Sequence, residues 1–96
     1  MTQPGERATV TLHAALGEPL RDNATRSMVV ATVHAIAERN GVRVMFVDHD
    51  ERRVTVTLAA SSIVAVGLAV ELRRVTNAWH QGKFGTPIWD APGDAP

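Results

Sequence analysis

Apolar and polar residues alternate from Arg7 to His13, with Ala8, Val10 and Leu12 on one side and Thr9, Thr11 and His13 on the other. A period of two over such a run predicts a half-buried strand. Ala14 to Arg21 holds Gly17 and Pro19 and predicts a loop. Asp22 or Asn23 then offers an N-cap, and Asn40-Gly41 a stop. Between them Val29, Val30, Val33, Ile36 and Ala37 recur at helical spacing, which predicts one amphipathic helix. From Val42 to Val47 the alternation returns, placing Val42, Val44 and Phe46 inward and Arg43, Met45 and Val47 outward. After the polar stretch Asp48–Arg52, Val54, Val56 and Leu58 are inward, and Arg53, Thr55 and Thr57 outward. Two alternating runs joined by a short polar segment predict a β-hairpin.

The most apolar stretch follows. Ser61 or Ser62 caps a helix that is apolar on every side from Ile63 to Val70 and amphipathic from Glu71 to Trp79. Its inner side is expected at Val64, Leu68, Leu72, Val75 and Trp79, which leaves Ile63, Val66 and Val70 around Gly67 in need of cover. Gly82, Gly85 and Pro87 argue against further helix, and Phe84 to Trp89 suits a short strand that Pro87 confines to an edge. The order strand, helix, strand, strand, helix and an optional last strand resembles the ferredoxin-like β-α-β-β-α(-β) arrangement. The fold class implied is α+β, a two-layer sandwich with both helices on one face of an antiparallel sheet. Residues 1–6 are expected to be loose, 7–89 to form one α+β domain, and 90–96 to be a disordered tail or a linker.

Size and composition narrow the function classes. Ninety-six residues suffice for one small core. Ten basic and ten acidic side chains give zero formal charge, so the basic excess expected of a nucleic-acid or anionic-membrane binder is absent. With no cysteine there can be no disulfide, thiolate chemistry or cysteine-bound metal. The apolar run is far short of the ~20 residues of a membrane span. Residues 1–20 lack the charged start and apolar core of a signal peptide, so a cytoplasmic location is expected. Nine of the ten basic residues are Arg and Ala and Val abound, a composition that hints at a GC-rich bacterial genome.

Candidate chemistry is sparse. Asp48-His49-Asp50-Glu51 sets four metal-ligand types in a row, but without EF-hand spacing they read as a charged turn. His13, His34, His49 and His80 are scattered, and His34 and Glu38 make a surface pair at helical spacing. The loop before the first helix matches neither phosphate-binding glycine pattern. The open sheet face lacks the aromatic residues that RNA-binding versions of the fold use for stacking. No catalytic residue, metal or cofactor is therefore assigned. The expectation is a non-enzymatic protein–protein interaction module: a homo-oligomer, or a small subunit or adaptor of a larger assembly. Its contacts would be Ile63, Val66 and Val70, the sheet residues Met45 and Val47, and the aromatic residues Trp79, Phe84 and Trp89. The bland alternative for the aromatic tail is packing back on its own domain. The competing class is a small-molecule-binding or catalytic domain, its site on the open sheet face or between protomers, with His13, Arg43 and Arg53 as polar groups.

Overall fold

The computed structural model describes residues 6–90. The loose start and the Asp/Ala/Pro/Gly tail expected from the sequence lie, apart from Glu6 and Asp90, outside the described residues. The elements are β1 (Ala8–His13), α1 (Asn23–Arg39), β2 (Arg43–His49), β3 (Arg53–Ala59) and α2 (Ser62–Phe84), with a short 3-10 turn at Pro19–Arg21. The architecture is α+β: a three-stranded antiparallel sheet and two α-helices.

The strands lie in the order β1-β3-β2, so the hairpin's second strand is central. β1 pairs with β3 from Ala8 opposite Leu58 to His13 opposite Arg53. Val54, Val56 and Leu58 are buried on one face with Leu12. On the other face Thr9 and Thr57 hydroxyls meet at 2.9 Å, and those of Thr11 and Thr55 at 3.2 Å. α1 begins where the Asp22 carboxylate accepts hydrogen bonds from both the backbone N–H and the hydroxyl of Thr25. It ends before Gly41, whose φ of 67° lets the chain reverse into β2. Its buried residues, Val29, Val33, Ile36 and Ala37, share one core with those of the sheet and of α2.

Three features depart from the sequence expectation. The first is the element order. A 3-10 turn precedes α1, and among the described residues no closing strand follows α2. Phe84 ends the helix, which runs on through Gly82 to a left-handed cap at Gly85, φ 83°. Among the described residues after α2, Trp89 alone makes a β-bridge, an isolated antiparallel one to Ala14 just beyond β1.

The second departure is a bulge in β2. Val44 faces Leu58, but Phe46, not Met45, faces Thr57, so Met45 is an extra residue with no partner on β3. One inserted residue exchanges the faces of everything beyond it. Phe46, expected inward, therefore stands on the open face at 62% exposure, and Val47, expected outward, packs against the core.

The third departure concerns α2. Its buried residues are Ala65, Leu68, Ala69, Leu72 and Thr76: Leu68 and Leu72 are inward as expected, but Val64 is exposed and Val75 and Trp79 are only partly buried. The helix is turned so that alanines meet the core and Val64 is 42% exposed. Thr76 is tolerated inside because its hydroxyl donates to the Leu72 carbonyl at 2.6 Å and accepts from Trp89 Nε1 at 2.8 Å.

Candidate functional site

The outer side of α2 is the most unusual surface. Ser61 caps the helix, its hydroxyl accepting from the Val64 N–H. With Ala65, Leu68 and Leu72 committed to the core, the helical period brings Ile63, Val66 and Val70 to the opposite side. Ile63 is 85% exposed, Val66 57% and Val70 52%. Gly67 lies among them, and a Cβ there would meet nothing within 4 Å, so the fold itself does not require a glycine.

Beside this stripe a groove of about 770 Å³ opens between the two helices. Ile36 and Val42 and the small residues Ala59 and Ala60 give it apolar walls, and Val64, Gly67 and Leu68 form its α2 side. Arg39 and Asn40 from the end of α1 and Glu71 from α2 are its polar groups. The groove exists because the β3–α2 connection is built of small residues and because α1 stops at Gly41. Arg39 meets Glu71 at 3.3 Å, and Arg74 makes two contacts with the same carboxylate, at 2.7 and 3.2 Å.

The hydrogen bond from Arg74 holds the Glu71 carboxyl below its ordinary value of 4.5, with the charges of Arg74 and Arg39 adding to the effect. Asp22 is likewise held below its ordinary 3.8, first by the Thr25 hydroxyl and then by the Thr25 N–H. A carboxyl depressed in the folded state contributes stability that is complete above its unfolded pKa and is lost as pH falls through the folded one. Urea midpoints, as far as they depend on these two groups, should be level above about pH 5 and fall below it. The paired substitution Asp22→Asn and Glu71→Gln should flatten that fall. An acid slope unchanged by the pair would remove the assignment.

The tail is folded back on the domain. Trp89 is only 2% exposed and Ile88 1%. Their backbone N–H groups both donate to Asn77 Oδ1, at 3.0 and 2.8 Å. The Asp90 N–H donates to the His13 carbonyl at 2.9 Å, and Ala15 N–H to the Ile88 carbonyl at 2.8 Å. Trp89, expected as a partner contact, thus occupies the protein's own core, as the bland alternative has it. Trp79 is half-buried and packs edge-on to Phe84 with ring centroids 6.3 Å apart. Phe84 is half exposed, with the Lys83 ammonium 5.8 Å from its ring centre and 4.9 Å from that of Trp79. Of the two sheet residues, Met45 is the half-buried bulge residue and Val47 packs against the core, while Phe46 takes the exposed place.

The polar groups of the competing reading are brought together only in part. His13 and Arg53 are cross-strand neighbours and line a depression of about 360 Å³ with Arg52, Asp50 and Asp90. Arg53 is paired there with Asp50 at 3.3 Å. Arg43 lies opposite Ala59, at the far end of β3 and roughly 20 Å from Arg53 along the strand. Among the described residues no group of three or more His, Asp or Glu could hold a metal ion, and no helix is long and apolar enough to cross a membrane.

The sequence did not single out Phe46, Arg39, or the pair Thr76 and Asn77. Arg39 and Glu71 belong to different helices, and no spacing along the chain links them. The only signal for the groove is the run Ala59-Ala60 ahead of a helix that also carries a glycine. No known protein family matches the chain in sequence, and no curated protein matches it.

Proposed function

We propose that this protein is a non-enzymatic association module whose docking face is the outer side of α2. The observation that carries the reading is the stripe Ile63, Val66 and Val70, exposed beside a groove of mixed apolar and polar lining on a helix whose other side fills the core. Leaving three branched side chains in water forgoes on the order of 5 kcal/mol of burial that a partner can supply. The partner class is protein: a second copy, or a larger protein to which this one is a small subunit or adaptor. The zero net charge gives no attraction to nucleic acid or to an anionic membrane. The β1-β3-β2 order, with Trp89 bridging beside β1 where a closing strand would lie, supports a two-layer arrangement of ferredoxin-like type.

The test is the double substitution Val66→Glu and Val70→Glu. The variant should keep the circular dichroism and melting temperature of the dilute parent protein, because both residues are exposed. It should lose the parent's association, read as mass by light scattering and as specific retention when the protein is used as bait in a cell extract. A variant that unfolds would show that the two valines belong to the core. Equal association of variant and parent would place the docking face elsewhere.

A further inference from the structure

We propose that the partner on this face is a second copy of the same chain, with α2 packed antiparallel against α2 about a two-fold axis between Val66 and Gly67. The inference rests on the association reading above and goes further by naming the occupant and the register.

The stripe is self-complementary in one register. In an antiparallel crossing centred between positions 66 and 67, Ile63 of one copy lies against Val70 of the other, Val66 lies against Val66, and Gly67 against Gly67. The longest side chain of the stripe thus meets a smaller one, and the two glycines meet beside the crossing point. The contact of Ile63 with Val70 occurs twice and the others lie at the axis, as a two-fold interface requires. A glycine in the middle of an exposed helix costs about 1 kcal/mol relative to alanine. Nothing in the protomer needs it, since a Cβ there would be in open space. What Gly67 does permit is close approach of a second backbone.

With ten acidic and ten basic side chains, two copies meet without net repulsion. The groove on the α1 side of Val64 and Gly67 leaves room for the second helix to lie against α2 without striking α1.

Area points the same way. Ile63, Val64, Val66 and Val70 together expose on the order of 400 Å² per copy, about half of the ~800 Å² that each partner buries in a standard interface. Glu71, Arg74 and Asn77 of α2, with Arg39 of α1 paired to Glu71, make a polar rim beside the stripe, the usual composition around an apolar centre.

The chain has no cysteine, so a pair can be introduced without background. In the double variant Ile63→Cys and Val70→Cys, the two positions on one helix are two turns and about 10 Å apart, too far to bridge within a protomer. Between antiparallel copies they face each other. Mild oxidation should therefore give a covalent dimer in high yield, and sedimentation should show the unmodified protein as a dimer at micromolar concentration. The variant Gly67→Gln, tested without cysteines, should remain folded and weaken the dimer by about tenfold or more, because a long side chain enters the crossing point.

A dimer that forms no 63-to-70 disulfide and is unaffected by Gly67→Gln would overturn this inference while leaving association as the function. A monomer that still retains one specific protein from extract through Val66 and Val70 would do the same. A monomer that retains nothing would overturn both.

Discussion

Trp89→Ala should cost about 3–5 kcal/mol, the usual loss when a large buried aromatic side chain is removed. A domain of this size has about 5–15 kcal/mol in total, so the variant should melt about 15–30 °C lower or fail to fold. The reason lies in what the indole does. It is buried among core residues, and its N–H satisfies the Thr76 hydroxyl inside the protein. Its backbone N–H is one of the two that bind Asn77, and it bridges the end of β1. Trp89→Phe keeps most of the volume and gives up the indole hydrogen bond, so it should cost nearer 1–2 kcal/mol. Denaturant melts of the two variants beside the parent separate packing from hydrogen bonding. If Trp89→Ala were as stable as the parent, the residue would not be a core residue, and the tail would be free to serve as an anchor for a partner.

The second large effect is expected at Leu72→Ala, at about 2–5 kcal/mol. Leu72 is completely buried in the core, and its carbonyl also receives the Thr76 hydroxyl. The informative comparison is Val64→Ala. The sequence pattern places Val64 on the same inner side as Leu72, but the structure exposes it, and its truncation should cost less than about 1 kcal/mol. Similar losses at the two positions, measured by urea titration, would mean that α2 is rotated from its described orientation.

Much of the fold was legible in the sequence because local rules and burial agree over most of it. The alternation in β1 and β3, the Asp22 cap, the Asn40-Gly41 stop and the Ser61 cap all lie where the pattern places them. The failures share a physical cause, namely that the deciding partner is distant in sequence. On a helix that is apolar all round, hydropathy cannot choose the inner face; α2 is oriented by the contact of Ala65 and Ala69 with the core and by the bond between Thr76 and Trp89. Gly82 reads as a breaker, yet it stands in an exposed turn where its cost is small, and Gly85 is the residue that ends the helix. Of the candidate site, the stripe was visible from spacing alone. The groove was not, because its walls come from the ends of three elements.

The bulge at Met45 also bears on how this protein survives crowding. β2 is the outermost strand on one side of the sheet, and a regular outer strand is a template on which further chains can stack into fibrils. An extra residue in that strand breaks the even spacing of its free N–H and carbonyl groups and increases its local twist. Arg43, Asp48 and His49 add charge and polarity along the same strand. At the opposite margin, the Ala14–Trp89 bridge and the bond from Asp90 to His13 close off the end of β1. A chain with no net charge and an exposed aliphatic helix is thereby discouraged from joining its neighbours strand to strand, which leaves side-chain packing as its open route to assembly.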